Sequence, residues 1–302
     1  MKRSNNKILL IVLIVLSSGF VLTKVFHAPS RERNLDEKIL TLDTSQVSAI
    51  YISPAIQDSA QIRLIRFGSD WKVEMRARSA NSEKSQVKNA LSILGTIRAD
   101  RVLTRNKEKW SSYHVDTTGT FVKVILDSNN AKEFWIGKMD TGGSCIRLEG
   151  HNEVYAIEGT LEPVFNKHFN DWRDKTFVKL QPEKISKITF DYPADTGFIV
   201  NKPGHSWEIG NNKADSSKVQ SYLNKFKSRS LRDFADDFKP LTKPAYTITL
   251  NSGSDVITVH GWKIQDDRWV LNSSQQAGVY FSSSDSSFIR SLFVGKKGFL
   301  RL

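Results

Sequence analysis

The spacing of apolar positions changes several times along the chain, and each change marks an element. Val47–Ser53 (VSAIYIS) and Gln61–Phe67 (QIRLIRF) read as strands, with a turn at GSD, 68–70. Trp71, Val73 and Met75 then alternate with Lys72, Glu74 and Arg76, the period-2 signature of a strand with one buried face. Val87, Ala90, Leu91 and Leu94 follow at i, i+3, i+4 and i+7, one stripe of an amphipathic helix that Ser82 or Ser85 can cap. Alternation resumes at Val122, Val124 and Leu126, turns at DSNN (127–130) and returns over Lys132–Gly137. Cys145–Leu148 and Glu153–Ile157 are two more strands, and Leu161–Phe169 reads as a short helix.

The same pattern then recurs. Leu180, Ile185 and Ile188 match Leu42, Val47 and Ile50 at an offset of 138, and Trp207 and Ile209 match Trp71 and Val73 at 136. Val219, Tyr222, Leu223 and Phe226 match the helical stripe at 132. Tyr246, Ile248 and Leu250 match Val122, Val124 and Leu126 at 124, Gly261 matches Gly137 at 124, and Phe288, Ile289 and Phe293 match Val164, Phe165 and Phe169 at 124. Offsets held within elements and changed between them are what loop deletions leave behind, since loops tolerate length change and packed faces do not. The expected fold class is therefore α+β: two tandem copies of a mainly antiparallel-sheet module with packed helices. Trp71 and Trp207 are expected as repeat-equivalent core residues, with stacking on a sugar or base as the sharper alternative.

Ahead of the modules stands an uncharged apolar run, ILLIVLIVLSSGFVL at 8–22, preceded by Lys2, Arg3 and Lys7. With Lys24 snorkelling to the interface it extends over 8–26, the length of a transmembrane helix. No small-x-small cleavage site follows, and an uncleaved anchor is expected. Retaining the short tail 1–7 on the cytoplasmic side is the easier insertion, which places the rest outside. The expected organisation is a tail at 1–7, one N-terminal transmembrane helix at 8–26, a linker at 27–37, module 1 at 38–173 and module 2 at 174–302.

Charge changes this picture little. Of the net +12, residues 1–34 hold five, from six cations and Glu32, which leaves a mild excess of seven over the other 268 residues. Nucleic acid is a poor partner for an exported domain, and basic stretches at 101–109, 225–232 and 296–301 read as solvated helix ends and loops. Their sharper reading is contact with anionic lipid or an acidic envelope glycan. The one cysteine, Cys145, excludes an intramolecular disulfide, and the six histidines show no metal-ligand spacing. Neither a phosphate-cradling glycine loop nor a nucleophile elbow is present. No catalytic, cofactor-binding or metal residue is assigned, and no enzymatic activity is expected. Trp172, Arg173, Asp174 and Lys175 (DWRDK, from Asp171) form a candidate partner site or domain junction; a buried Trp beside an Arg–Asp pair favours the junction.

Several motifs in order carry a resemblance: the anchor, a W-x-V strand, an apolar helix opened by Ser and Lys, Tyr113–Val115, FWIGK at 134–138, VYAI at 154–157 and DWRDK at 171–175. Over about residues 38–290 the chain resembles the bacterial family called domain of unknown function 4340, which often carries its module twice behind an anchor. Members are commonly encoded beside ABC-type transport systems of the gliding-motility kind. Two motifs depart from the family. Tyr113-His114-Val115 stands where YGL is usual, and the second copy ends GKKGFLRL without WRDK. The resemblance implies a membrane-anchored, extracytoplasmic accessory or scaffold protein of an envelope complex in the cytoplasmic (inner) membrane. Its candidate partners are ABC transporter permease or ATPase subunits. The runner-up is a module that binds envelope glycan or anionic lipid.

Overall fold

A computed structural model describes residues 13, 16, 17 and 37–302, apart from 57–59, 128–129, 140–141, 158, 194–195, 254, 266 and 302. The expected anchor at 8–26 thus lies almost wholly outside the described residues, among which no helix is long and apolar enough to cross a membrane. The chain divides into two compact units, Met1–Trp172 and Arg173–Leu302, against an expected boundary after Arg173.

Unit 1 runs β1 (Glu37–Thr41), β2 (Val47–Ser53), β3 (Ile62–Phe67), β4 (Asp70–Met75), β5 (Arg78–Asn81), α1 (Lys84–Leu94), β6 (Thr96–Thr104), β7 (Thr120–Leu126), β8 (Ala131–Lys138), β9 (Ser144–Leu148), β10 (Val154–Ile157), α2 (Glu162–Phe165) and α3 (Phe169–Trp172). Its ten strands form one sheet in the order β1-β6-β10-β9-β8-β7-β2-β3-β4-β5, antiparallel at every pairing. Period-2 alternation puts Ile50, Ile52, Leu64, Val73, Val122, Val124, Phe134 and Ile136 on one face, where they pack with Val87, Ala90 and Leu94 of α1. Burying each large aliphatic side chain there is worth about 1.5–3 kcal/mol. The opposite face carries cross-strand ion pairs, Arg63–Glu74 at 2.9 Å and Lys123–Glu133 at 2.8 Å. Such partly exposed pairs add little stability but keep this part of the face polar.

The start of α1 differs from expectation. Glu83 is the N-cap, its carboxylate accepting from the Ser85 amide, while the Ser82 hydroxyl donates instead to the Trp71 carbonyl at 2.8 Å. The Glu83 amide donates to the Trp172 carbonyl at 2.7 Å, tying the helix start to the end of the unit. Leu161–Phe169 is not one helix: α2 stops where Asn166 leaves helical geometry, with its side chain bonded back to Glu162, and α3 starts only at Phe169.

Unit 2 runs β11 (Thr176–Lys179), β12 (Lys187–Asp191), β13 (Phe198–Asn201), β14 (Glu208–Ile209), β15 (Asn212–Lys213), α4 (Ser216–Asn224), β16 (Ser228–Ser230), β17 (Tyr246–Asn251), β18 (Val256–Gln265), β19 (Arg268–Ser273), β20 (Tyr280–Ser283) and α5 (Ser286–Leu292). Eight strands form a sheet in the order β15-β14-β13-β12-β17-β18-β19-β20, and β11 pairs with β16 alone. Asp215 caps α4 by accepting from Ser217 and Lys218, and Asp285 caps α5 by accepting from Ser287 and Phe288. The core is rich in aromatic rings: Phe190 stacks on Phe198 at 4.4 Å, and Phe299 lies 5.2 Å from Tyr222. Burial raises the Tyr222 hydroxyl well above its ordinary range, and that hydroxyl donates to the Leu292 carbonyl at 3.0 Å.

The basic stretches are more ordered than expected. The first four residues of 101–109 complete β6, β16 lies within 225–232, and 296–301 includes a short 3-10 helix over Lys296–Phe299 that buries Phe299. In both units the structure is sheet-rich, mainly antiparallel and carries few helices.

Candidate interaction surface

A corner between β6 and β7 in unit 1 gathers several motif residues. Ser111–Tyr113 is a single 3-10 turn that His114 terminates in left-handed geometry, φ 52°. The turn brings two carbonyls close against Gly137 of β8 and Gly119 just ahead of β7. A Cβ on Gly137 would stand 1.8 Å from the Tyr113 oxygen, and one on Gly119 would stand 1.8 Å from the His114 oxygen. Both positions therefore require glycine. The same Tyr113 oxygen accepts from the Cys145 thiol at 3.4 Å. Burial pushes that thiol up to about 12, so it stays protonated and unreactive at neutral pH. Beside the corner, burial works against the Asp116 carboxylate, but hydrogen bonds from Ser111 and Thr118 hold it below the usual range.

The motifs at Tyr113–Val115 and 134–138, distant in sequence, thus meet. Arg147 of β9 completes the assembly: it is 4 % exposed, and its Nε donates to the Val115 carbonyl at 2.9 Å. Its guanidinium lies 3.9 Å from the Trp110 ring centre and 5.8 Å from that of Trp135. Trp135 in turn meets Phe121 across the β7–β8 pairing at 4.8 Å, and Lys107 lies over Trp110 at 5.7 Å. Glu149 accepts from Trp135 Nε1 at 2.6 Å and from Arg147 at 3.3 Å, while Trp110 Nε1 donates to the Asn152 carbonyl. The result is a ladder, Lys107–Trp110–Arg147–Trp135–Phe121, on the sheet face away from α1. Its three aromatic members are half-buried and Arg147 is desolvated. Cations held over aromatic faces gain most when desolvated. The ladder offers aromatic edges around an arginine that Glu149 neutralises; it holds no activated nucleophile.

The sequence did not reveal this ladder. One signal was available: Phe121 and Trp135 fall on the non-core phase of strands whose core phase is Val122, Val124, Phe134 and Ile136, and Arg147 interrupts the apolar run of β9.

The residues singled out in advance lie elsewhere. Trp71 and Trp207 are both buried, with the Arg66 guanidinium 4.9 Å over the first and the Lys202 amine 5.9 Å over the second. Trp71 nonetheless lines a surface pocket of about 440 Å³ between β4 and α1, with Ser82, Lys84 and Lys88 on its wall. Of the DWRDK residues, Trp172 is fully buried in the core of unit 1. Arg173 is buried in unit 2, pairs with Asp236 at 2.8 Å and covers the Phe234 ring at 3.5 Å. Asp174 accepts from the Thr176 amide, and the Lys175 carbonyl accepts from Leu231. Among the described residues no group of three or more His, Cys, Asp or Glu side chains could hold a metal ion.

No curated protein and no solved structure is found to match the chain. One family model does match, over residues 71–249, from Trp71 of β4 to Thr249 of β17. That span covers more than half of the sequence, and the chain belongs to the family described as domain of unknown function (DUF4340).

Proposed function

We propose that this protein is a membrane-anchored, extracytoplasmic accessory or scaffold protein of a cell-envelope complex, built from two copies of one module. We take an ABC-type transport system as the candidate complex on the strength of the family resemblance alone.

Strand order supports the two-copy reading. Read outward from β5, unit 1 runs β5-β4-β3-β2-β7-β8-β9-β10, and unit 2 runs β15-β14-β13-β12-β17-β18-β19-β20. The helix starts agree as well. Ser82 N–H donates to Trp71 O, and Ala214 N–H to Trp207 O; Glu83 N–H donates to Trp172 O, and Asp215 N–H to Phe299 O. On this reading GFLRL, where Phe299 lies, stands in for DWRDK. The strand registers revise the matches on β7 and the match of Gly261. Ile52 pairs with Val122 and Phe190 pairs with Ile248, so Val122 corresponds to Ile248 at an offset of 126, not 124. Thr120 faces Ile136 as Tyr246 faces Gly261, so Gly261 corresponds to Ile136 and not to Gly137. The shift of two residues on β7 keeps every side chain on its face, which is why pattern alone did not detect it; the Gly261 match moves by one residue, and a single matched glycine has no alternation to reveal that.

The observation that carries the accessory reading is the ladder. By the registers above, Phe121, Trp135 and Arg147 correspond to Thr247, His260 and Asn272 in unit 2. At these three positions unit 2 carries polar side chains while unit 1 carries aromatics and a buried arginine, the residue types enriched where proteins meet; the aromatics of that face in unit 2, Trp262, Tyr280 and Phe238, cluster with one another instead. A glycan-binding role is less supported, because cations already occupy ladder ring faces that a sugar would use. The test is crosslinking in intact cells followed by affinity capture and identification. The expected result is recovery of transporter permease or ATPase subunits, lost when residues 1–34 are exchanged for an unrelated anchor or when Trp135→Ala is introduced. Recovery of the protein alone, or of the same partner with Trp135→Ala, would overturn the reading.

A further inference from the structure

We propose that the outer edge of β1, with the groove beside it, docks an extended segment of a partner polypeptide, which joins the sheet of unit 1 as an additional strand. The proposal deepens the accessory-protein reading and rests on the correspondence of the two units.

β1 ends the ten-stranded sheet and, among the described residues, pairs with β6 alone. An edge strand presents unpaired N–H and C=O groups, and proteins normally cover or disrupt such an edge. Unit 2 covers the corresponding edge. Leu42 N–H donates to Gly95 O as Leu180 N–H donates to Lys227 O, so Thr41 of β1 corresponds to Lys179 of β11. The Lys179 amide donates to Gln275 Oε1 at 2.7 Å, and Gln275 Nε2 donates to the Lys179 carbonyl at 2.8 Å. Gln276 Nε2 adds a bond to the Thr176 carbonyl at 2.8 Å. A carboxamide here donates and accepts as the peptide group of a paired strand would.

Among the described residues, unit 1 lacks that cover. The loop between Leu148 and Val154 is one residue shorter than its counterpart between Ser273 and Tyr280, and it places Gly150 and His151 where unit 2 has its glutamines. Among the described residues, no side chain hydrogen-bonds the main chain of Ile39 or Thr41. What remains is a groove of about 500 Å³ lined by Ile39, Leu40, Lys132, Glu133, Leu148 and His151, among others. The second unit therefore indicates what the first one takes: a main-chain amide, supplied from another polypeptide by strand addition. Ile39 and Leu148 favour an apolar side chain facing the groove, and Lys132 and Glu133 leave the rim polar.

The first measurement is amide exchange on the full chain in detergent. Thr41 is expected to exchange at least about 10-fold faster than Lys179, and Gln275→Gly is expected to raise Lys179 towards the Thr41 rate. Ten-residue peptides displayed on phage and selected on the full chain then serve as probes. Selected peptides should slow Thr41 exchange and lose at least about 10-fold in affinity for Thr41→Pro, a change that an edge strand tolerates when the lost N–H faces outward. A Thr41 amide already slow in the isolated chain would overturn the proposal without needing any variant. So would a selection that yields no binder, binders indifferent to Thr41→Pro, or Thr41 protection that vanishes on dilution, which would mean pairing with a second copy. If Gln275→Gly leaves Lys179 unchanged, the correspondence of the units fails instead, whatever Thr41 does.

Discussion

The carbonyl of Tyr113 rests on the Cα of Gly137, so closely that a Cβ there would stand 1.8 Å from the oxygen. This contact gives the glycine of FWIGK a physical reason: the strand leaves room for the turn that also holds Arg147 and Cys145 in place. Gly137→Ala must push the Tyr113 turn off the sheet. Overpacking of this kind costs about 1–3 kcal/mol and can cost more. Denaturant unfolding should show that loss, together with weaker protection of the Val115 and Arg147 region. An unchanged midpoint would mean that the turn moves freely.

His114 holds left-handed geometry at φ 52°, where a non-glycine residue is strained. Its ring contributes one 3.3 Å contact to Thr118 Oγ1. His114→Gly should stabilise unit 1 by up to about 1 kcal/mol, because relief of strain outweighs the added freedom of the unfolded chain and the lost contact. Thermal unfolding of the two proteins under one buffer condition checks the sign.

The buried tryptophans should behave as core residues. Trp71→Ala and Trp207→Ala should each cost about 3–5 kcal/mol. Trp71→Phe should recover much of that loss, as filling the site matters more than the indole N–H. Ligand titration would distinguish a stacking role, which predicts lost binding in a protein of normal stability.

Acid should weaken the fold through its capping carboxylates. Hydrogen bonds from Phe288 and Ser287 hold Asp285 below its ordinary range against the pull of burial, and Asp116 is lowered as described above. A lowered folded-state pKa means that the unfolded chain binds the proton more tightly. The contribution is complete above the unfolded value of about 3.9 and is lost as pH falls through the lower folded value. His260 adds to the same trend from higher pH, since burial lowers it and protonation below about 6.5 favours the unfolded chain. Asp285→Asn should flatten the lowest part of a stability-against-pH curve, and His260→Gln should flatten the part near pH 6.

The buried Cys145 thiol, pushed up to about 12, should resist maleimide labelling at neutral pH in the native protein and react once denaturant opens unit 1. Fast labelling of native protein would place the thiol in a different environment.

Much of the fold was legible where one face is buried and the other wet. The alternation at Trp71 and Val73 and the stripe at Val87, Ala90 and Leu94 gave β4 and α1 directly. β6 was missed because its alternation covers only Ile97 and Ala99 before the exposed Arg101 breaks the apolar phase. The shorter β1 and β11 offer too few residues to show a period. The ladder was hidden for another reason: Trp110 reaches Arg147 from a turn that lies far away in sequence, and only the paired strands bring Phe121 and Trp135 beside it. DWRDK stood out by composition, and its residues divide between the units: Trp172 is in the core of unit 1 and Arg173 is bonded within unit 2.

The accessory-protein account is tested most directly by placing a photo-crosslinking phenylalanine at position 121 in living cells, with the same group at Thr247 as the matched position of unit 2. The account predicts an adduct from position 121 with an identified envelope-complex subunit, and none with that subunit from position 247. Adducts of equal yield from both positions, or none from 121 while affinity capture still recovers the subunit, would contradict it.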